Sequence, residues 1–153
     1  KMTNNDCLRR ISGILGLDES AIIKVFSNID QQVTKEEISN LLKQEDADEF
    51  TDILFTAFLD GLIIEKRGAK EEGAKPPADK NLTNNIIFKK LRIAFDLKAE
   101  DVLSILSLAD CTIGKHDLSA FFRNPESGKY RKCEDQILEN FLAGLQIRYG
   151  TLQ

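Results

Sequence analysis

The chain has few of the residues that most often build catalytic and metal centres. Its 153 residues include no tryptophan, one histidine, one methionine and three cysteines. A single histidine excludes most histidine-based metal sites. Three cysteines without paired spacing exclude a disulfide scaffold and suit a reducing compartment. No apolar run approaches the roughly 18–20 residues that cross a bilayer, and the opening residues lack the pattern of a secretory leader. We therefore expect a cytoplasmic protein with no membrane contact.

An internal repeat is the main signal in the sequence. Thr-Asn-Asn at positions 3–5 recurs at 83–85, and the apolar pattern that follows recurs at the same offset of 80. After a three-residue insertion the offset becomes 83, so that FLDGL at 58–62 lies on FLAGL at 141–145. Because a whole apolar pattern matches in one register, the sequence predicts a tandem duplication.

The spacing of apolar residues predicts four helices in each copy. Positions 8, 11, 14 and 15 follow the helical period, as do 88, 91, 94 and 95. Both Thr-Asn-Asn triplets offer oxygens that can cap this first helix, and Thr34 with Glu37 forms a capping box for the third. The fourth helix is predicted from about position 51 to 65, and from about 135 to 148 in the second copy. No segment shows the alternation of a strand.

The domain organisation follows from this pattern. We predict an all-α fold in which one four-helix unit spans residues 3–68, a linker spans 69–82 and a second unit spans 83–151. Gly61 and Gly144 recur inside the fourth helix, where glycine costs on the order of 1 kcal/mol, which indicates that another helix approaches the backbone there. A unit of this size buries too little surface alone, so we expect the copies to pack together with pseudo-two-fold symmetry.

Short motifs distributed over both copies form a recognisable set. They are LTNN at 82–85, KKLR at 89–92, LAD at 108–110, LSAFFR at 118–123, YRKC at 130–133 and NFLAGL at 140–145, with GLII at 61–64 and RG at 67–68 in the first copy. These motifs resemble the YehS-like family, small bacterial proteins built from one duplicated domain of unknown function. The resemblance covers nearly the whole chain, and it implies no activity, cofactor or catalytic residue. The chain departs from the family pattern at Ser127, where histidine is typical, and at Glu134, where glycine is typical.

A search for catalytic chemistry finds one weak candidate. Cys133 follows two cations, Arg131 and Lys132, and nearby positive charge lowers the pKa of a thiol. A thiol-based redox sensor at Cys133 is therefore one hypothesis. His116 corresponds to the surface-type Glu36 and has no evident partner. Neither a metal-ligand spacing nor a glycine-rich phosphate loop occurs, so the sequence implies no cofactor and does not favour an enzyme.

The two copies differ in charge, and the difference peaks in one loop. Residues 43–52 carry one cation and five carboxylates, net −4, whereas the corresponding residues 123–132 carry four cations and one carboxylate, net +3. Packing in the interior does not require opposite loop charges. The simplest interpretation is that both loops are ordinary solvated surface without a binding role.

Two binding hypotheses compete with that interpretation. The first is a non-enzymatic interaction module that binds a protein partner, or another copy of itself, through the oppositely charged surfaces. The second is nucleic-acid binding, in which cations neutralise phosphates and Tyr130 stacks on a base. The predicted surface for either partner comprises Lys89, Lys90, Arg92, Arg123, Lys129, Tyr130, Arg131 and Lys132.

Overall fold

Eight helices account for the regular structure of the chain wherever it is described. The computed structural model describes residues 2–43, 50–68 and 82–150, and no strand occurs within these ranges. The predicted linker lies outside these ranges, apart from its last residue, Leu82. Residues 44–49 of the acidic loop (residues 43–52) also lie outside them. The helices are α1 (Asn4–Leu15), α2 (Glu19–Ser27), α3 (Lys35–Lys43), α4 (Asp52–Arg67), α5 (Asn84–Ala94), α6 (Ala99–Leu108), α7 (Lys115–Phe121) and α8 (Asp135–Tyr149).

The helix starts follow the capping residues in the sequence. The Asp18 carboxylate accepts from the Ala21 amide at 2.8 Å and caps α2. The Thr34 and Glu37 side chains bond each other's amides at 3.1 and 3.0 Å, which confirms the capping box of α3. Lys98 cannot cap α6 in this way, but its amide donates to the Asp101 carboxylate at 2.9 Å.

The two recurrent glycines lie where helices cross. A Cβ atom on Gly61 of α4 would lie 2.1 Å from the carbonyl oxygen of Val25 in α2. A Cβ atom on Gly144 of α8 would lie 2.0 Å from the carbonyl oxygen of Ile105 in α6. Since no Cβ fits at such distances, both crossings need glycine, as predicted from its recurrence.

The copies pack on each other through two equivalent joints. Helix α1 packs on α8, and α4 packs on α5. Exchanging the copies converts one pair into the other, so the contacts follow the predicted pseudo-two-fold arrangement. A buried apolar core runs through both copies, with Leu8, Phe26 and Phe58 in the first and Phe88, Leu106 and Phe141 in the second. The all-α tandem repeat is thereby confirmed, and α4 and α8 extend two residues and one residue beyond their predicted ends.

Candidate interaction surface

The Thr-Asn-Asn triplets act as clamps that position the start of the fourth helix in each copy. Thr3 and Thr83 cap α1 and α5, as the sequence predicts. The first asparagine of each triplet reaches across the fold instead of capping. Asn4 donates to the Phe50 carbonyl at 3.0 Å and to Asp52 at 2.9 Å. Asn84 likewise donates to the Cys133 carbonyl at 3.1 Å and to Asp135 at 2.6 Å.

The second asparagine fixes the end of the third helix. Asn5 donates to the Leu41 carbonyl at 2.8 Å, and Asn85 donates to the equivalent Phe121 carbonyl at 3.0 Å. Asn85 also donates to the Arg131 carbonyl at 2.8 Å and accepts from the Cys133 amide at 2.9 Å. A buried asparagine therefore holds both ends of the loop that carries the predicted cations.

That loop, residues 123–132, is here called the basic segment. Arg123, Lys129, Arg131 and Lys132 are all exposed, and Tyr130 is half-buried. Backbone hydrogen bonds order this segment: the Ser127 amide donates to the Asn124 carbonyl at 2.8 Å, and the Arg131 amide donates to the Ala120 carbonyl of α7 at 3.1 Å. The four cations thus lie on a fixed path at the surface.

Arg131 is the most constrained cation of the basic segment. Its guanidinium lies 3.6 Å from the Asp117 carboxylate. The same guanidinium lies 5.6 Å from the centre of the Phe121 ring, within the range of a cation–π contact. Because the guanidinium and the Asp117 carboxylate are exposed, the ion pair contributes little to stability and serves mainly to orient the Arg131 side chain.

The three predicted cations on α5 do not form one surface. Lys89 is exposed. Arg92 is half-buried, with its Nε atom 3.1 Å from the Leu97 carbonyl and its guanidinium 4.8 Å from the centre of the Phe122 ring. Lys90 is only 8% exposed, and its Nζ atom lies 2.6 Å from the Asp60 carboxylate in the joint between α4 and α5. The prediction that Lys90 belongs to the binding surface is therefore wrong.

The sequence predicts that the pKa of the Cys133 thiol is lowered by nearby cations, and this prediction is wrong. Cys133 is fully buried, and burial raises the pKa of its thiol from the ordinary 9.0 to about 12, helped by the negative charges of Asp135 and Glu134. The neighbouring cations point to solvent, so they do not offset the burial. Burial likewise raises the pKa of Cys7 to about 12. Cys111 is half-buried.

His116 and groups of metal-ligating side chains remain as candidate chemical sites. His116 is exposed on α7. In the part of the chain that the structure describes, no three His, Cys, Asp or Glu side chains are placed to hold a metal ion. The described helices also include none that is both long enough and apolar enough to span a bilayer.

Over the residues that the structure describes, fold and surface together define a duplicated all-helical protein that carries the basic segment. The chain belongs to the family described as proteins of unknown function, DUF1456, whose profile matches residues 4–68 and 84–150. It is 37% identical over 150 residues to the uncharacterized protein YehS of Escherichia coli strain K12, a match that covers 96% of both chains. These findings confirm the resemblance drawn from the motifs. No solved structure matches the chain.

Proposed function

We propose that the protein is a non-enzymatic interaction module that binds an acidic surface of a partner protein through its basic segment. The observation that carries this proposal is the fixed backbone of the segment, held by Asn85 at Phe121, Arg131 and Cys133. A loop that is already ordered loses less conformational freedom on binding than a mobile loop does. The cations are therefore presented at a low entropic cost.

The charge distribution supports a partner of opposite sign. The whole chain carries a net charge of −4, yet residues 123–132 carry +3. Complementary charge mainly accelerates encounter and orients the partners, and it weakens with salt because ions screen exposed groups. A salt-sensitive interaction confined to this face is the expected behaviour.

A matched pair of charge reversals tests the proposal. Lys129→Glu with Lys132→Glu reverses two exposed cations of the basic segment. Lys35→Glu with Lys43→Glu makes the same charge change on α3, where both lysines are also exposed. Each variant and the unaltered chain are immobilised and exposed to nuclease-treated E. coli lysate at low salt and at high salt.

The expected result is a protein that is retained at low salt by the unaltered chain and by the α3 variant, but not by the basic-segment variant. Equal retention by both variants would contradict the proposal, and so would the absence of any salt-sensitive protein. Sedimentation of the purified chain at low and high salt shows whether a second copy is itself the partner.

Nucleic acid is the second candidate partner, because Tyr130 lies between cations and is partly exposed. Such a ring can stack on a base while the cations contact phosphates. In that case the unaltered chain binds a fluorescent single-stranded oligonucleotide, and affinity falls steeply with salt. Arg131→Glu abolishes the binding. No binding at low salt removes this candidate.

A further inference from the structure

A cleft of about 340 Å³ lies where the first copy meets the second. Arg67 at the end of α4 contributes from the first copy, and Lys89 and Arg92 contribute from α5. Asp96, just beyond α5, is the one acidic residue of the lining. Three cations against one carboxylate leave an excess of two positive charges in a chain that is acidic overall.

The two arginines of the cleft are each held by a contact within the protein and still have guanidinium nitrogens that an anion can reach. Arg92 is fixed by the Leu97 carbonyl and the Phe122 ring. Among the described residues, its two terminal nitrogens make no hydrogen bond. Arg67 is paired with Asp96 at 2.5 Å, a contact in which the Asp96 side chain is 78% exposed. An entering anion can therefore take the place of Asp96 on Arg67 and bond to Arg92 as well.

The rest of the lining is apolar. Ile93, Leu97 and Phe122 form this part of the wall, and Ile93 is 39% exposed although it is a large aliphatic residue. A volume near 340 Å³ falls at the lower end of the range of roughly 300–1,000 Å³ for small-molecule sites. The lining thus combines an anion subsite with a surface suited to a ring.

The equivalent positions of the other copy repeat only one of the three positive charges. At an offset of 83, Arg67 corresponds to Gly150, and at an offset of 80, Arg92 corresponds to Ser12, whereas Lys89 corresponds to Arg9. Asp96 corresponds to Gly16, and both have positive φ, at 55° and 63°. Aspartate tolerates this conformation better than most residues, and Asp30 and Asp110 adopt it too, so the turn accounts for a glycine or an aspartate at this position. Arg67 and Arg92 are therefore specific to this cleft, whereas a cation at the position of Lys89 is common to both copies.

We infer that the cleft formed by Arg67, Lys89, Arg92 and Asp96 binds a small phosphate monoester that carries a ring, of the size of a nucleoside monophosphate. The phosphate lies between Arg67 and Arg92, and the ring lies against Ile93 and Phe122. A doubly charged phosphate matches the excess positive charge of the lining. This site goes beyond the proposed function, because it does not involve the basic segment.

Chemical-shift titration with AMP, UMP, adenosine and inorganic phosphate tests the inference. We expect at least one of the two monophosphates to bind more tightly than adenosine or inorganic phosphate alone, with shifts at Lys89, Arg92 and Asp96. If neither AMP nor UMP shifts these amides at concentrations up to about 10 mM, the inference is overturned.

Three variants separate a binding role from a structural one. Arg92→Gln should lower the affinity for the monophosphate at least tenfold. Asp96→Asn should strengthen it several-fold, because it removes the carboxylate that competes for Arg67, and asparagine tolerates the positive φ. Lys35→Gln on α3 loses one positive charge outside the cleft and should change nothing. If Asp96→Asn also weakens binding, or if Lys35→Gln weakens it as much as Arg92→Gln does, the assignment is wrong.

Discussion

The two copies of the repeat use the same interior but different exteriors. In both, a glycine of the fourth helix contacts a carbonyl of the second helix, and two asparagines hold the fourth helix and the end of the third. In the second copy alone, the loop before the fourth helix carries a net charge of +3. The comparison teaches that packing constrains the buried contacts in both copies, whereas the exposed positions are free to differ in charge.

The two joints between the copies likewise share their geometry but differ in their polar contacts. They occupy equivalent places, yet one contains the ion pair of Lys90 with Asp60. In the other, Arg10, which corresponds to Lys90, donates to the Glu139 carbonyl at 3.4 Å, and Ala143 stands where Asp60 does. Geometry is therefore retained while the polar contacts across it differ.

The largest expected effect comes from filling the helix crossings. Gly61→Ala and Gly144→Ala each place a Cβ against a backbone carbonyl, and we expect each to lower the free energy of unfolding by about 3 kcal/mol. Urea denaturation measures the loss. Gly13→Ala is the control, since nothing lies within 4 Å of its Cβ position, and it should stabilise α1 by up to about 1 kcal/mol. A tolerated alanine at either crossing would show that the helices are farther apart.

The next effect distinguishes the two joints. Asp60→Ala removes the carboxylate beside the buried Lys90, and we expect a loss of about 2 to 3 kcal/mol in chemical denaturation. Adding Lys90→Met should restore most of the loss, because an apolar side chain no longer needs a counter-charge. Glu36→Ala, on the exposed face of α3, should cost under about 0.5 kcal/mol. Failure of the second change to restore stability would argue against a charge effect.

The asparagine clamps should contribute in both copies. Asn5→Ala leaves the Leu41 carbonyl without its donor, and we expect it to cost about 2 kcal/mol. Asn85→Ala removes the bonds to the Phe121 and Arg131 carbonyls and to the Cys133 amide, so we expect it to cost at least as much. Asn40→Ala is the matched control, because Asn40 is exposed and its counterpart is Ala120. Thermal unfolding measures all three. A loss in only one copy would show that the clamp is not a shared device.

The smallest effect concerns the thiols. Cys7 and Cys133 have native pKa values raised to about 12, so the unfolded state loses these protons first as the pH rises above about 9. Their contribution to stability is complete below that pH and declines between pH 9 and 12. A thiol reagent at pH 8 should modify the half-buried Cys111 well before Cys133. Equal labelling rates would restore Cys133 as a reactive thiol.

Sequence patterns predicted what depends on local spacing. The helices, the caps at Thr3 and Thr34 and the crossings at Gly61 and Gly144 all follow from short-range periodicity and its recurrence at one offset. The clamps were missed because the carbonyls bonded by Asn5 and Asn84 lie 36 and 49 residues away.

Lys90 and Cys133 were misplaced for a related reason. Each was interpreted from neighbours in sequence, whereas its environment comes from distant elements. One signal was available for Lys90: it lies three residues after Ile87 and four before Ala94, which places it on the apolar stripe of α5. For Cys133, the exposed Arg131 and Lys132 gave no indication that the next side chain turns inward.

The most direct test asks whether the equivalent halves behave as one body. Val25→Ala weakens the first copy at a buried position of α2, by about 2 kcal/mol, without touching the second copy. The rate at which a thiol reagent reaches Cys133, in the second copy, then reports on coupling. If the joints unite the copies, Cys133 labelling should accelerate about 30-fold, in step with Cys7. An unchanged rate at Cys133 while Cys7 becomes accessible would show two independent units and contradict the shared interior.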